Sequence, residues 1–293
     1  MSNKYSLVKN PIGYYEVSPK PTIDELKEYY SKKYYQEDSG SYQKTYSEEE
    51  LKYFGVEAEL ALKTVQRFSK CSKKKLLDLG CGEGFFVSYL KNKGWNVEYV
   101  DFSDDGIRRH NPSLLPDFIQ GDLLTYMDSL RDGSDYFDLI NLDNVLEHVL
   151  DPVQLLRKIK DNIDSNVVVR IEVPNDFSSF QSLLLERDCT EETWVNPPEH
   201  LSYFNKDSLK LLFKNEGFHL LSLQADFPIE QFLLNDHSNY WKDRRLGKGA
   251  HLSRVVITNY LADINIERLI DYREVAADLE FGRQLIAYIT LDR

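Results

Sequence analysis

Residues 76–86 read LLDLGCGEGFF, and this stretch decides the fold. An apolar run ends at Leu79, glycines follow at every second position, and apolar residues resume at Phe85. Glycine lets the backbone turn sharply, and it lets a ligand lie against the chain with no Cβ in the way. The stretch therefore predicts a buried strand, a tight loop suited to a ligand, and the start of a helix.

The rest of the chain alternates between short apolar strands and helical patterns. Strand patterns occur at 74–80, 96–102, 116–122, 137–144, 165–175, 218–225 and 282–292. Helical patterns lie between most of them, including 145–163 and 204–217. Such alternation predicts an α/β fold with a doubly wound, mostly parallel sheet and helices on both faces. In such sheets ligands bind beyond the carboxyl ends of the strands.

The pattern divides the chain into two regions. Residues 1–70 are expected to form an N-terminal helical cap, and residues 71–293 the main domain. Two segments, 174–203 and 226–281, do not fit the alternation. Long insertions at loop positions commonly carry binding residues, so we expect both to contact substrate.

The glycine loop does not suit a dinucleotide. A dinucleotide fingerprint needs its third glycine at position 85, which is Phe85. Asp78 precedes the loop, where a carboxylate suits an ammonium group better than a pyrophosphate. Asp101 and Asp122 end the next two strands and could accept hydrogen bonds from a ribose and an exocyclic amine. The expected ligand has a ribose, amines and little negative charge; a tight turn without a ligand is the alternative.

The segments LLDLGCGEG, VDFS, GDL and FDLINLDNVLEHVLDP together resemble the class I S-adenosylmethionine-dependent methyltransferases, over about residues 75–220 and a final strand near 283–291. The resemblance implies a Rossmann-like, seven-stranded, mostly parallel sheet with an antiparallel final strand. It implies S-adenosylmethionine as cofactor and S-adenosylhomocysteine as product, with no metal. The implied cofactor-binding residues are Asp78, Gly80, Cys81, Gly82, Gly84, Asp101, Phe102, Ser103, Asp122, Leu123, Asp143 and Asn144.

Tyrosines in the cap form a further part of the expected cofactor site. Tyr29, Tyr30, Tyr34 and Tyr35 recur at helical spacing. N-terminal helices often cover the cofactor in the family, so the resemblance implies that these side chains, Tyr30 included, close over it. The alternative is that they are packing residues of an appended helix.

Two histidines are candidates for the catalytic base. Transfer of a methyl group to a hydroxyl requires removal of the acceptor proton. His200 in NPPEHLSYF and His148 in NVLEHVLDP both follow strand ends, and Glu199 and Glu147 precede them. PEHLSYF resembles the ubiquinone-type O-methyltransferases and bacterial surface-polysaccharide methyltransferases, in which an acid–histidine pair borders the acceptor. We favour His200 as the base, with Glu199 beside it, over His148; a histidine that braces a loop is the alternative for either.

The segment 235–254 is basic in an otherwise acidic chain. It carries five Lys or Arg residues against two Asp, and Arg binds phosphate and carboxylate bidentately. The segment therefore predicts a pocket for an anionic or sugar-like acceptor; a solvated face or a homodimer contact is the alternative. The candidate acceptor-binding residues are Asn175, Tyr203, His237, Tyr240, Arg244, Arg245, Lys248, His251 and Arg254.

Composition narrows the class of partner. The 293 residues carry a formal net charge of −12, which repels a nucleic-acid backbone. No signal-peptide core and no apolar run long enough for a membrane span is found in the sequence, so we expect a cytoplasmic protein with a small-molecule partner. The expected function is O-methylation of a small polar, sugar-like or phosphorylated metabolite of a bacterial surface-polysaccharide pathway. N- or C-methylation, or cofactor binding without turnover, are alternatives.

Overall fold

The computed structural model describes residues 4–26, 29, 45–130 and 137–292. The strands described are β1 (Ser6–Lys9), β2 (Tyr15–Ser18), β3 (Lys75–Leu79), β4 (Asn96–Asp101), β5 (Ile119–Gln120), β6 (Leu139–Asp143), β7 (Val168–Pro174), β8 (Ser202–Tyr203), β9 (Phe218–Ala225) and β10 (Gln284–Leu291). The α-helices described are α1 (Glu48–Phe68), α2 (Phe85–Asn92), α3 (Asp105–His110), α4 (Leu123–Ser129), α5 (Pro152–Asp161), α6 (Ser179–Glu186), α7 (Lys206–Asn215) and α8 (Gly247–Asp278).

Seven strands form the central sheet, in the order β5-β4-β3-β6-β7-β10-β9. The neighbours from β5 to β7 pair in parallel, whereas β10 is antiparallel to both β7 and β9. This arrangement confirms the predicted doubly wound sheet with an antiparallel final strand. The chain runs outward from β3 to β5 and then returns to β6, so strand order reverses between β3 and β6, where a ligand is expected.

Helices cover both faces of the sheet, which explains why most residues of its central strands are apolar. Leu155 of α5 and Leu209 of α7 belong to the core on one face. Leu62 of α1 and Leu90 of α2 belong to the core on the other face. The strands therefore appear in the sequence as apolar runs. A polar residue inside such a run indicates a role other than core packing.

Helix α1 begins with a side-chain cap at Ser47. The side chain of Ser47 accepts from the backbone of Glu50, and the carboxylate of Glu50 accepts from the backbone of Ser47, so that the two residues form a capping box. The opposite end of the helix pairs with α8, where Arg67 bridges Glu267 and Asp271. The division of the chain at residue 70 into cap and main domain stays a prediction.

The N-terminal region contains a β-hairpin that the sequence did not predict. Strands β1 and β2 pair antiparallel, and β2 pairs with β8 to form a second, three-stranded sheet. Each strand has only four residues, too few for a clear alternating pattern. Because the pairing partner, β8, lies far away in the chain, local sequence gives no sign of it.

The helix predicted at 145–163 begins later than expected. Helix α5 starts at Pro152, and the side chain of Asp151 caps it by accepting from the backbone N–H of Gln154. The preceding residues form a turn that begins at Asn144, whose φ is 52°. His148 therefore lies in a turn rather than in a helix.

The insertion 226–281 is mostly a helix. Helix α8 begins at Gly247, so Lys248 of the basic segment lies in its first turn. Non-helical dihedral angles at Asn265 mark a kink within it. Apolar residues occur on all sides of this helix, which hides the periodicity that would have predicted it.

Candidate active site

A cavity of about 1020 Å³ lies at the carboxyl edge of the sheet. It follows the ends of β3, β4, β6 and β7 and is covered by α1 and α8, which contribute Tyr53 and Arg254. Single-ligand pockets usually measure roughly 300–1,000 Å³. The cavity is therefore large enough for a cofactor and a second small molecule together.

The glycine loop shapes one end of the cavity. Gly80 has a φ of 83°, and a Cβ there would lie 2.4 Å from Cγ2 of Val145. Gly84 has a φ of 77°, and a Cβ there would lie 2.8 Å from Cδ1 of Leu114. The loop follows the strand closely only because both positions are glycine. It lines the cavity together with Cys81.

Asp78 presents a buried carboxyl group beneath this loop. It is 1% exposed, and its Oδ1 accepts a hydrogen bond of 2.7 Å from Nδ2 of Asn141. Burial raises the pKa of Asp78 to about 7. A ligand's ammonium group would supply the positive charge that this carboxylate lacks, which fits the methionine end of S-adenosylmethionine.

Asp101 lies at the end of β4, on the same side of the cavity. Its two carboxylate oxygens accept from the backbone N–H groups of Gly82 at 2.8 Å and Ser103 at 3.1 Å. Burial raises the pKa of Asp101. These contacts fix the carboxylate beside the glycine loop, and its remaining lone pairs suit ribose hydroxyls.

The structure brings most of the other expected cofactor residues to the same cavity. Asp122 caps α4 through Thr125 and also lines the cavity. Ser103 is not among the described residues that line the cavity; its backbone N–H donates to the carboxylate of Asp101. Tyr30, Tyr34 and Tyr35 lie outside the described residues. The expected cofactor residues that line the cavity are Asp78, Gly80, Cys81, Gly82, Gly84, Asp101, Phe102, Asp122, Leu123, Asp143 and Asn144.

The turn after β6 places His148 at the cavity wall. Its Nδ1 lies 2.7 Å from the backbone carbonyl oxygen of Glu199, and its Nε2 lies 3.7 Å from Oε1 of Glu147. A carbonyl oxygen only accepts, so Nδ1 carries the proton in neutral His148 and Nε2 carries the basic lone pair. The contact with Glu199 thus leaves Nε2 as the basic nitrogen of the neutral ring.

Glu147 is buried beside this histidine. It is 1% exposed, and neither carboxyl oxygen has a hydrogen-bond partner among the described residues. Burial raises its pKa well above the ordinary value. The backbone carbonyl of Glu147 accepts from the N–H groups of Leu201 and Ser202, which holds the 199–202 segment against the turn.

His200 packs against His148 rather than lining the cavity. The two rings meet edge to face with centroids 4.9 Å apart. Side-chain atoms of Glu147, His148 and His200 lie within 4.8 Å of one another, a grouping that could hold a metal ion. Glu199 lines the cavity, and its carboxylate accepts from Asn196 at 2.9 Å.

At the acceptor end of the cavity, the structure assembles residues from elements far apart in sequence. Helix α1 contributes Tyr53, Phe54 and Glu57, and Asp226 and Gln284 come from the ends of β9 and β10. Nothing local in the sequence singled out these residues, since their proximity depends on the strand order.

Arg170 and Glu172 also line the cavity, and the sequence contains a feature that could have identified them. They interrupt the apolar run of β7, a central strand whose two faces are covered. Arg170 donates to Oδ1 of Asn141 at 2.7 Å, to Asp143 at 3.2 Å and to Glu172. This network connects the cofactor end of the cavity, through Asn141 and Asp78, to the acceptor end.

Of the basic segment 235–254, the structure brings Arg254 to the cavity. Arg244, Arg245 and Lys248 are exposed, as is His237, and the side chain of Arg245 pairs with Asp243. None of these four is among the described residues that line the cavity. Arg254 is therefore the basic residue of this segment that lies at the cavity wall.

The remaining acceptor candidates lie behind the cavity wall. Tyr203 is buried, and its hydroxyl donates to the carbonyl of His200. Asn175 is buried and donates to the carbonyl of Gly282. Tyr240 is half-buried outside the lining, and His251 supports Arg254. None of these four side chains is among the described residues that line the cavity.

Comparison with known proteins places this geometry in a family. A family profile described as a methyltransferase domain matches residues 53–223. The uncharacterised protein MJ0638 of Methanocaldococcus jannaschii is 28% identical over 189 residues, which are 60% of this chain and 74% of that protein. The ubiquinone biosynthesis O-methyltransferase of Actinobacillus pleuropneumoniae is 24% identical over 192 residues, which are 57% of this chain and 77% of that enzyme.

Solved structures share the fold. A SAM-dependent methyltransferase from Archaeoglobus fulgidus superposes with a TM-score of 0.50 at 21% identity, over 81% of this chain and 94% of that one. The plantazolicin methyltransferase BamL, solved with S-adenosylhomocysteine, gives a TM-score of 0.51 at 13% identity, over 93% of this chain and 92% of that one. In the described part of this chain, no helix combines the length and apolarity needed to cross a membrane. The family profile spans more than half of the chain, and Asp78 and Asp101 line the cavity. The protein therefore belongs to the S-adenosylmethionine-dependent methyltransferases and uses S-adenosylmethionine as its cofactor.

Proposed function

We propose that the protein transfers a methyl group to a hydroxyl oxygen of a small polar acceptor, with His148 as the general base. The observation that carries the proposal is the orientation of His148. Its Nδ1 is held by the carbonyl of Glu199, and the ring lines the cavity. The proposed base is therefore His148 and not His200, which the sequence favoured and whose ring packs against that of His148.

S-adenosylmethionine supplies a methyl group on a sulfonium sulfur, which leaves as a neutral thioether. Alignment therefore provides much of the rate, and the walls of the cavity provide the alignment. Asp78 and the glycine loop suit the methionine end, and Asp101 suits the ribose. Nε2 of His148 takes the acceptor's hydroxyl proton as the oxygen attacks, while the carbonyl of Glu199 keeps Nδ1–H hydrogen-bonded.

We further propose that the acceptor is sugar-like or phosphorylated and belongs to a surface-polysaccharide pathway. Support comes from the mixture of side chains at the acceptor end of the cavity. Carboxyl groups of Glu57 and Asp226 and the guanidinium of Arg254 can bind hydroxyls, while Tyr53 and Phe54 offer apolar faces. Such polar sites with aromatic walls fit small hydroxylated ligands.

The experiment has two stages. Titration with S-adenosylhomocysteine first measures cofactor binding. Transfer of a labelled methyl group is then measured over sugar nucleotides, phosphorylated metabolites and matched deoxy analogues. Transfer that requires one particular hydroxyl supports the proposal; labelling of the deoxy analogue at an unchanged rate contradicts it.

Transfer to an amine is a second candidate, favoured by the carboxyl groups of Glu57, Glu172 and Asp226 at the acceptor end. A neutral amine needs no base of the strength that an alcohol requires. His148→Ala separates the two, because it would slow methylation of an amine little and that of a hydroxyl strongly.

A further inference from the structure

Arg254 occupies an unusual position in the cavity. It lies in the early turns of α8 and lines the acceptor end. Its guanidinium lies over the ring of Tyr53, with 5.5 Å between the guanidinium carbon and the ring centroid. Nη2 donates to Nδ1 of His251 at 2.8 Å, and Nε2 of His251 lies 3.0 Å from Oε1 of Glu50. The side chain is thus held in one orientation by Tyr53 at the cavity wall and by His251 and Glu50 behind it.

The carboxyl groups around Arg254 are bound to other partners. Glu57 receives two hydrogen bonds from Arg273, at 2.6 and 2.8 Å. Glu172 is bound by Arg170. Asp226 accepts from the backbone N–H groups of the residues at 283 and 284, at 2.8 and 2.7 Å.

Arg254 itself has no carboxylate in direct contact. Among the described residues, Asp226, Glu57 and Glu172 act on its charge only from beyond ion-pair distance. Its buried Nε–H has no hydrogen-bond acceptor. A guanidinium removed from water without an acceptor is costly, and arginine's fork matches the two oxygens of a carboxylate or phosphate.

We propose that Arg254 binds an oxyanion of the acceptor, a carboxylate or a phosphate group, and so selects anionic acceptors. The inference rests on the proposed function, in which this end of the cavity holds the acceptor. It identifies the charge that the acceptor carries, which the base alone does not specify.

The test uses the full chain saturated with S-adenosylhomocysteine. Inorganic phosphate and acetate are titrated separately while the Nε–H resonance of Arg254 is followed by NMR, so that the two sources of an oxyanion are compared. Saturable binding of either anion is expected, and Arg254→Ala should weaken it about tenfold or more, a loss of about 1.4 kcal/mol. Arg245→Ala is the matched control, because Arg245 is exposed and outside the cavity lining.

Binding that persists unchanged in Arg254→Ala, or no saturable binding of either anion, overturns the proposal. Affinity for S-adenosylhomocysteine reports separately on the cofactor site, so a wild-type protein that fails to bind it contradicts the proposed function instead. If Arg254→Ala does not fold, Arg254→Lys keeps the charge but removes the fork, and weaker anion binding is again expected.

A second, independent observation concerns the outer face of α8. Six large apolar side chains are exposed there; the apolar stripe consists of Leu252, Val256, Ile257, Tyr260, Leu261 and Ile264. Val255, Thr258 and Asn259 on the opposite side are buried. A helix that is apolar on all sides is normally buried on all sides.

We infer that the apolar stripe is covered by a second copy of this chain. The exposed fraction of these residues ranges from 37% for Leu261 to 68% for Ile264. Together the six present roughly 600 Å² of surface, most of the ~800 Å² that each partner contributes to a standard interface. A continuous helix face can pack against its own copy about a two-fold axis. Two charged residues are interspersed among them: Arg254 lines the cavity, and Asp263 is paired with Lys52.

Sedimentation equilibrium of the full chain tests this second inference. The wild type is expected to be a dimer at micromolar concentration, and Leu252→Glu combined with Tyr260→Glu a folded monomer by circular dichroism. Leu211→Glu is the matched control, because Leu211 is an exposed leucine on α7 and its replacement should leave the dimer intact. A monomeric wild type, or a dimer that survives the double substitution, overturns the inference.

Discussion

Nδ1 of His148 lies 2.7 Å from the backbone carbonyl oxygen of Glu199, and this contact joins the two segments that carry the candidate base. The turn after β6 supplies the ring, and the insertion that returns to β8 supplies the carbonyl. Because the carbonyl fixes the tautomer, the basic nitrogen is Nε2. The orientation of the base thus depends on both segments.

Replacing His148 by Ala should lower kcat for a hydroxyl acceptor by about 10²–10⁴-fold, the usual contribution of general base catalysis. His200→Ala should cost less, since His200 supports the ring of His148 without lining the cavity. His219→Ala serves as the control, because His219 is an exposed residue of β9. Steady-state rates at saturating cofactor give the comparison; equal losses for His200 and His148 would contradict these roles.

Removal of metal ions should leave the rate within about twofold if Glu147, His148 and His200 act as an acid–base group. The three side chains are close enough to bind a cation, so the result is informative. Activity is measured before and after dialysis against a chelator, and again after addition of Zn²⁺ or Mn²⁺. A loss that the metal restores would instead assign the cluster a metal-binding role.

Cofactor affinity should depend on pH through Asp78. Its pKa is raised to about 7 by burial, so the carboxyl group is increasingly protonated as the pH falls below that value. A protonated carboxyl cannot pair with the ligand's ammonium group, and affinity for S-adenosylhomocysteine should fall by up to about tenfold per pH unit below 7. Asp78→Asn should bind weakly and lose this dependence. Calorimetric titrations from pH 5 to pH 8 measure it; an affinity that rises toward acid would refute the assignment.

Two glycines allow the strain of the cofactor loop to be separated from its packing. Gly80 and Gly94 have similar positive φ angles, 83° and 79°, but an added Cβ meets Val145 at Gly80 and open space at Gly94. Gly94→Ala should therefore cost only left-handed strain, roughly 1–2 kcal/mol. Gly80→Ala should cost about 1–3 kcal/mol more, from overpacking. Urea unfolding of both variants gives the difference, and equal losses would show that the contact with Val145 relaxes freely.

The cofactor end of the site could be predicted from the sequence because its chemistry is local. Asp78, the glycine loop and Asp101 each stand at the end of a recognisable strand, and parallel strands end at one edge. The acceptor end could not be predicted in the same way. Glu57 and Asp226 meet there only through the packing of α1 and α8 against the sheet.

The basic segment shows why composition alone does not tell which basic side chains reach the cavity. Of its five basic residues, only Lys248 and Arg254 lie in helix α8, which begins at Gly247 and directs the two to different sides. Arg254 faces the cavity while Lys248 faces solvent. Without the helix start, which the apolar stripe obscures, the direction of each side chain cannot be deduced.

The capping box of α1 has a consequence for redesign of the N-terminal region. Glu50 both closes the first turn of α1 with Ser47 and holds His251, the residue on which Arg254 rests. Its two carboxylate oxygens thus serve two purposes, one in capping the helix and one in holding the residue behind Arg254. A chimaera joined before Ser47 keeps both contacts. If Arg254 binds the acceptor as proposed, a junction that replaces Glu50 should change ligand selectivity even when another residue recaps the helix.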